Sequence, residues 1–324
     1  MYAMLVRQLG GPEKLERVEL PDPEPLPGHV VIDVRAIGCN FADILMTEGR
    51  YQLKPPLPFA PGSEVAGIVR SVGEGVPHLE PGQRVAAMLD FGAYSSVVSA
   101  PADFVVRLPP SMPFDVAAGF GVAYQTAYIG LAHRAGLKAG ESLLVHAAAG
   151  GVGLAAVEVG RALGARVWGT AGSADKCALA VHHGAEACFD VSSHEWVEEV
   201  LRASGGRGVD VVYDPVGGEV FHRSLKCLAW SGRLVVIGFA SGDIPELKMN
   251  RVLLKNIAIT GLNLGSYKQR APEVLRDALQ RLFDLYEQGA LKPEIYGRFP
   301  LERAREALEL LRQRKTAGKV ILIP

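Results

Sequence analysis

Cysteine is scarce in this sequence, and no two cysteines form a C-x-x-C pair. Cys39, Cys177, Cys188 and Cys227 lie far apart, a pattern typical of buried free thiols and of a cytoplasmic protein. A block of charge of either sign is also lacking, and the formal net charge is -1. The chain therefore shows no electrostatic footprint for nucleic acid or for a membrane surface.

Long apolar runs are missing as well. The most apolar stretches are interrupted by Gly, His, Arg or Glu, so none is predicted to span a membrane. The first residues, Met-Tyr-Ala-Met-Leu-Val-Arg, predict a strand rather than a signal peptide. What remains is a chain of 324 residues that is 48% apolar and 21% charged. This composition favours a globular enzyme with two domains.

A glycine-rich turn is the most informative motif. Residues 143–145 form a short apolar run that predicts a buried strand, and an apolar helix is predicted over 154–163. Between them, Ala148, Gly150 and Gly153 have the spacing of G-x-G-x-x-G, with alanine in the first place. Such a turn brings the backbone and the N–H groups of a helix start close to a pyrophosphate. A second strand and helix follow, which favours a dinucleotide site over an ordinary turn.

The predicted pattern of secondary structure changes near residue 114. Before that point, Pro and Gly clusters separate short predicted strands at 3–8, 29–37, 64–72, 83–88, 95–99 and 104–108. Many short strands of this kind indicate a partly open barrel or a sandwich. After it, strands near 142–146, 165–170, 186–189, 209–213, 232–237 and 256–260 alternate with helices, which predicts an α/β fold with a doubly wound parallel sheet. The tail predicts helices at 272–288 and 301–312 and a last strand at 319–323.

Three motifs together resemble one known family. They are Pro61-Gly-Ser-Glu-Val-Ala-Gly67, Pro81-Gly-Gln-Arg-Val85 and the turn from His146 to Gly153. In this order they resemble the medium-chain dehydrogenase/reductase superfamily, and the quinone oxidoreductase branch that includes zeta-crystallin matches best. The resemblance implies a GroES-like catalytic domain over 1–118, a Rossmann NADPH-binding domain over 119–260 and a return to the catalytic domain over 261–324. It also implies a cofactor cleft between the domains and a homodimer or dimer-based tetramer.

The sequence departs from the zinc-dependent members of this superfamily. Asn40, Ser63 and Val122 stand at or near their three catalytic zinc ligands, and these side chains do not supply the ligand set that zinc requires. We therefore predict no metal. Without a Lewis acid, hydride transfer to a quinone or to a conjugated enone or enal is easier than alcohol oxidation. Asn40 and Tyr51 are the candidate catalytic hydrogen-bond donors to the acceptor oxygen.

The resemblance also carries over a set of cofactor residues. Asn40 belongs to it as well as to the catalytic pair, and Lys319 matches a basic residue near the phosphates. The other members lie on a helix, in the glycine turn and in three later loops: Thr126, Ala148, Gly150, Gly151, Val152, Gly153, Gly172, Ser173, Lys176, Gly238, Phe239, Ala240, Leu262 and Asn263. Thr126, Lys319 and the residues of the loops at 238–240 and 262–263 are also compatible with packing or with a solvated surface.

The second strand of the dinucleotide unit predicts NADPH rather than NADH. NAD-specific domains place an acid at its end to bind the ribose 2′-hydroxyl. Ala171 stands there, Gly172 and Ser173 offer donors, and Lys176 supplies a cation one turn into the next helix. Asp175 is the rival acid, but it lies inside the helix start.

Two other functions stay open. One is reduction of an enoyl or acryloyl thioester, and the other is a cofactor-binding protein with a structural or RNA-binding role, since relatives have been recruited as lens proteins and RNA binders. The balanced charge disfavours RNA. A phosphate-rich thioester carrier requires a basic patch at the mouth of the cleft, and Arg50 and Lys54 are the only nearby candidates for it. A small-molecule quinone or conjugated carbonyl is the expected substrate.

Overall fold

The computed structural model describes residues 1–324, which form two compact units. The first unit contains Met1–Val122 and Pro293–Pro324, and the second contains Ala123–Lys292. No helix is both long and apolar enough to cross a membrane.

The elements follow one another in three segments. The N-terminal segment contains β1 (Tyr2–Val6), β2 (Leu15–Glu19), β3 (His29–Gly38), α1 (Phe41–Thr47), β4 (Glu64–Val72), β5 (Arg84–Met88), β6 (Val97–Pro101), β7 (Val105–Arg107) and α2 (Phe114–Ala118). The middle segment contains α3 (Gly121–Tyr128), β8 (Ser142–Val145), α4 (Gly151–Ala162), β9 (Arg166–Ala171), α5 (Ala174–His182), β10 (Ala187–Asp190), α6 (Trp196–Ala203), β11 (Val209–Asp214), α7 (Gly218–Cys227), β12 (Leu228–Val236), α8 (Asn250–Lys255), β13 (Ala258–Gly261), α9 (Leu264–Arg270) and α10 (Pro272–Glu287). The last segment contains β14 (Ile295–Pro300), α11 (Ala304–Arg312) and β15 (Lys319–Ile323).

The first unit is built on a seven-stranded sheet. Its order is β14-β15-β3-β4-β5-β7, with β6 also paired to β3, while β1 and β2 form a separate antiparallel pair. The central strand β3 is mostly apolar and buried, and it contributes Val30, Ile32 and Ile37 to the core. Because β15 pairs with β3, the end of the chain is part of this sheet. Strands β14 and β15 and helix α11 lie in the first unit with the N-terminal segment.

The second unit is a doubly wound parallel sheet. Its order is β10-β9-β8-β11-β12-β13, and every neighbouring pair is parallel. Counted along the chain from β8, this is the 3-2-1-4-5-6 order of the Rossmann fold. All six strands predicted here from the sequence are present, and the predicted α/β fold class is confirmed.

The boundary between the units falls later than the sequence suggested. The second unit continues to Lys292, past the expected end at residue 260, because α10 packs within it. Gln125 Nε2 donates to the carbonyl of Leu275 at 2.8 Å, and Leu275 and Ala278 pack against Ile129. An amphipathic helix looks the same in sequence whichever domain it covers, so these long-range contacts decide its place.

In the second unit, the side chain of Glu158 forms polar contacts with several elements. Its carboxylate is buried and accepts a hydrogen bond from Tyr124 Oη at 2.7 Å and another from the backbone N–H of Lys292 at 2.9 Å. His183 Nδ1 lies 2.6 Å from the second oxygen. One side chain therefore joins α3, α4, the end of α5 and the segment that follows α10.

We expect Glu158→Ala to lower the free energy of unfolding by about 3 kcal/mol or more, because three donors, two of them buried, lose their acceptor at about 1–3 kcal/mol each. Chemical denaturation measures the change. Glu287→Ala, on the exposed end of α10, is the matched control. Equal effects of the two substitutions would show that the contacts of Glu158 do not stabilise the unit.

Candidate active site

The glycine turn joins β8 to α4 as the sequence predicts. Gly150 is the N-cap of α4 in an extended conformation, and Ala148 is fully buried and donates its N–H to the carbonyl of Thr170. A Cβ at Gly153 would collide with the carbonyl oxygen of Ala147, so only glycine permits this close packing of helix on turn. The first N–H groups of the helix, at Gly151 and Val152, have no carbonyl partner within the helix and suit an anion.

The candidate 2′-phosphate residues follow the neighbouring strand. Strands β8 and β9 are parallel, so their carboxyl ends share one edge of the sheet. Ala171, which ends β9, is almost fully buried, and Gly172 is exposed with no atom near its missing side chain. Ser173 is the N-cap of α5, where its Oγ accepts the N–H of Lys176 at 3.4 Å.

Two further candidate segments follow β12 and β13, which are parallel neighbours in the same sheet. The half-buried residues 238–240 begin just after β12, and the N–H of Ala240 is held by the carbonyl of Pro215. After β13, Leu262 packs with Ile129, and Asn263 caps α9 through an N–H···Oδ1 bond from Ser266. The side chain of Asn263 therefore has a structural role as the cap of α9, which is an alternative to its predicted role at a cofactor.

Thr126 lies on α3 and is buried. The carboxyl ends of β8, β9, β12 and β13 all lie at one edge of the parallel sheet. The structure thus brings the predicted residues of the glycine turn and of the later loops to the edge where α/β sheets bind ligands.

In the first unit, a buried ion pair fixes Asn40. Lys319 Nζ lies 2.8 Å from Glu64 Oε1, and both side chains are almost fully buried. The same ammonium donates to Asn40 Oδ1 at 2.7 Å and to the carbonyl of Cys39 at 2.9 Å. Asn40 Nδ2 donates to Glu64 at 2.9 Å, and the second Glu64 oxygen accepts the N–H of Val122. Every strong polar group of this cluster is satisfied within it.

This cluster corrects the expectation for Lys319. An ammonium has three donors, and three buried oxygens of the first unit take them. None remains for a cofactor phosphate, so we withdraw that role and assign Lys319 to the support of Asn40. Sequence alone did not reveal this because the partners lie on β4 and at the start of α1, far away in the chain.

A second buried carboxylate lies close by. Asp43 is fully buried, and its Oδ2 accepts hydrogen bonds from the N–H of Asn40 at 2.8 Å and from Tyr94 Oη at 3.0 Å. Its Oδ1 has no hydrogen-bond partner. Burial raises the pKa of Asp43 to about 7, against the lowering effect of those hydrogen bonds and of the Lys319 charge. Sequence reasoning missed this group, although an acid three residues after an N-cap asparagine is a recognisable capping signal.

Tyr51 lies near this carboxylate. Its ring is half-buried against the core of the first unit. Burial, followed by the negative charges of Asp43 and Asp90, raises the pKa of its hydroxyl. The phenol therefore keeps its proton at neutral pH and is available as a hydrogen-bond donor.

Two of the three positions compared with zinc ligands, Asn40 and Val122, contact the Lys319–Glu64 ion pair. The side chain of Asn40 is hydrogen-bonded to Lys319 and Glu64, and the backbone N–H of Val122 donates to Glu64. No group of three or more His, Cys, Asp or Glu side chains is placed to hold a metal ion.

Asp43 makes the stability of the first unit depend on pH. The pKa of its carboxyl is about 7 in the fold against a reference of 3.8, so between these values the folded protein keeps a proton that the unfolded chain has lost. We expect the free energy of unfolding to fall as pH rises from about 4 to about 7, by about 1.4 kcal/mol per pH unit for this group.

Denaturation at successive pH values measures this slope. Asp43→Asn removes the titrating group and should flatten it, whereas Asp103→Asn, at an exposed position, should leave it unchanged. A slope that survives in Asp43→Asn would refute the assignment.

Comparison with known proteins agrees with this arrangement. The alcohol dehydrogenase GroES-like domain family matches residues 26–110, and the zinc-binding dehydrogenase family matches residues 151–282. Quinone oxidoreductase 1 of Escherichia coli is 38% identical over 97% of each chain.

Solved structures agree as well. The Escherichia coli quinone oxidoreductase complexed with NADPH has a TM-score of 0.93 at 36% identity and covers 100% of both chains. The CurK enoyl reductase has a TM-score of 0.90 at 30% identity, covering 99% of this chain and 98% of the other. The chain therefore belongs to the medium-chain dehydrogenase/reductase superfamily, in its quinone oxidoreductase-like branch, and is an oxidoreductase.

Proposed function

We propose that the protein reduces quinones or conjugated enones and enals with NADPH and without zinc. The observation that carries this proposal is the Lys319–Glu64–Asn40 cluster: Asn40, at a position where zinc-dependent members have a metal ligand, is hydrogen-bonded to the ammonium of Lys319 and to the carboxylate of Glu64. An alcohol is hard to oxidise without that metal, whereas an electron-poor acceptor needs only a hydride and hydrogen bonds to its oxygen. NADPH supplies the hydride when bound.

The residues of the second unit fit this cofactor. The glycine turn offers N–H groups for a pyrophosphate, and the exposed Gly172 with Ser173 and Lys176 suits a 2′-phosphate. The small, buried Ala171 neither repels that phosphate nor competes for the ribose. The Escherichia coli relative of known structure binds NADPH.

In the first unit, Tyr51 supplies the hydrogen bond to the acceptor oxygen, and Asn40, whose amide is engaged with Glu64 and with the carbonyl of Gly38, supports the site. Asn40 is held rigidly, which limits the reorganisation required during reaction. Because the pKa of Tyr51 is raised, its hydroxyl acts by donating a hydrogen bond to the developing oxyanion rather than by giving up its proton readily.

The decisive experiment is steady-state oxidation of NADPH with 1,2- and 1,4-quinones, enals and crotonyl thioester, before and after chelator treatment. Turnover of quinones or enals that survives chelation supports the proposal. The likeness to an enoyl reductase makes thioester reduction the second candidate, and a kcat/KM higher for crotonyl thioester than for every other acceptor would favour it.

Tyr51→Phe should lower kcat with quinone or enone by about 10- to 100-fold while the NADPH affinity changes little, since one hydrogen bond made in the transition state, worth about 1–3 kcal/mol, is lost. Tyr296→Phe, at an exposed tyrosine of the same unit, is the control. Unchanged turnover in Tyr51→Phe would reduce the tyrosine to a packing role.

Lys176→Ala should raise the KM for NADPH about ten-fold or more and leave that for NADH nearly unchanged, because one charge-assisted contact to the 2′-phosphate is lost. Lys226→Ala, at an exposed lysine near the end of α7, is the matched control. Equal effects on both cofactors, or a preference of the unaltered protein for NADH, would contradict this placement of the phosphate.

We also propose a homodimer or dimer-based tetramer that pairs through the β13 edge of the sheet. Exposed apolar side chains lie on β12, between β12 and α8, and on α8: Trp230, Ile244, Met249, Leu253 and Leu254. An uncovered edge with apolar neighbours favours pairing with a two-fold mate.

Light scattering should therefore give at least twice the chain mass at micromolar concentration. The double substitution Leu253→Asp and Leu254→Asp should yield monomers, and Leu26→Asp, at an exposed leucine of the first unit, should not. A monomeric mass for the unaltered protein would contradict the proposal.

A further inference from the structure

Two of the four cysteines meet in the second unit. Cys177 lies near the start of α5, and Cys188 lies on β10, the edge strand beside β9. Helix α5 packs against β10, and the thiol of Cys177 is near enough to that of Cys188 to raise its pKa. Both residues are half-buried, so the expectation that all four cysteines are buried is wrong for this pair.

The absence of a side chain at Gly169 provides room for the sulfur of Cys188. Gly169 of β9 pairs in register with Cys188, and a Cβ at Gly169 would lie 3.2 Å from Cys188 Sγ. The same Cβ would lie 3.7 Å from the Cβ of Ala180 on α5. The sulfur of Cys188 therefore faces the layer between the sheet and α5, where Cys177 also lies.

The other two thiols are placed differently. Cys39 and Cys227 are buried, at 2% and 0% exposure. Cys39 takes part in the buried cluster of Asp43 and Tyr94, and Cys227 Sγ lies 3.5 Å from the carbonyl of Ser224. Neither has a neighbouring thiol in the contacts of the structure, so only Cys177 and Cys188 combine two close sulfurs with access to solvent.

We propose that Cys177 and Cys188 form a reversible intramolecular disulfide that ties the first turns of α5 to β10 and weakens NADPH binding. The disulfide itself is independent of the proposed function, whereas its effect on the cofactor rests on that function. The oxidant is a hydroperoxide, represented in the test by hydrogen peroxide.

The chemistry balances in two steps. Cys177 sulfur attacks one peroxide oxygen, the O–O bond breaks, and the products are a sulfenic acid and one water. Cys188 sulfur then attacks the sulfenic sulfur, its proton leaves with the hydroxyl group as a second water, and the S–S bond forms. Two thiols lose two electrons and two protons, and one peroxide becomes two waters. The first attack belongs to Cys177 because burial, followed by the neighbouring thiol of Cys177, raises the pKa of Cys188.

The effect on NADPH follows from the position of Cys177. It immediately follows Lys176, and its N–H donates to the carbonyl of Ser173 at 2.9 Å. A disulfide shortens the contact between the two sulfurs to about 2.05 Å. Drawing Cys177 towards β10 shifts the turn that carries Ser173 and Lys176, the two side chains assigned to the 2′-phosphate.

The first experiment counts thiols in the full-length protein. After treatment with hydrogen peroxide, denaturation and alkylation, intact mass should show two alkylated cysteines instead of four, and peptide mapping should show a bond between Cys177 and Cys188. Dithiothreitol should restore four. Cys177→Ser and Cys188→Ser should each prevent the bond, and Cys227→Ala should retain it. Four alkylated thiols after oxidation, or a bond between other partners, would overturn the proposal even if a variant fails to fold.

The second experiment compares NADPH dissociation constants of the reduced and oxidised protein. We expect at least a three-fold weakening on oxidation and none in Cys188→Ser treated in the same way. An unchanged constant in fully disulfide-bonded protein would overturn the link to the cofactor. Failure of the reduced protein to bind NADPH would instead count against the proposed function, and the thiol count would still decide on the disulfide.

Discussion

The buried ion pair between Lys319 and Glu64 is the interaction on which the first unit depends. Two charges removed from water are tolerated only when each finds a partner and the remaining hydrogen-bonding groups are satisfied. Here Asn40 bridges both members, and the carbonyl of Cys39 and the N–H of Val122 complete the set. The pair joins the last strand of the chain to β4 and to the start of α1. Removing either charge would leave the other unpaired in the core, at a cost of about 3–5 kcal/mol.

This pair also determines what chemistry the unit supports. An ammonium inside a ring of oxygens has a fixed charge and no free coordination position, so it cannot polarise a substrate oxygen as an open metal site does. Its effect is indirect, because it orients the amide of Asn40. In the proposed reaction, any stabilisation of negative charge on the substrate must then come from neutral donors held in place. Tyr51, whose raised pKa keeps it protonated, has that character.

Much of this arrangement could be predicted from the sequence where a local pattern decided it. The six strands of the Rossmann sheet and the glycine turn follow from periodicity and small residues, and β4 and β15 begin and end where predicted. Features that depend on contacts between residues far apart in the chain were not predicted, or were predicted in the wrong place. Strand β2 and helix α1 have weak patterns, α10 was assigned to the wrong unit, and Lys319 was placed at the phosphates. Its true partners come from segments that only the tertiary fold brings together.

Asp43 and Glu64 are two buried carboxylates of the first unit with different hydrogen-bond partners. Glu64 contacts a cation, an amide and a backbone N–H. Asp43 receives only neutral donors on one oxygen and none on the other, so burial dominates and raises its pKa to about 7. Its charge is one of those that raise the pKa of Tyr51. Because Asp43 loses its proton near neutral pH, the electrostatic environment of Tyr51 changes in that same range, and the tyrosine holds its proton more firmly once Asp43 is ionised.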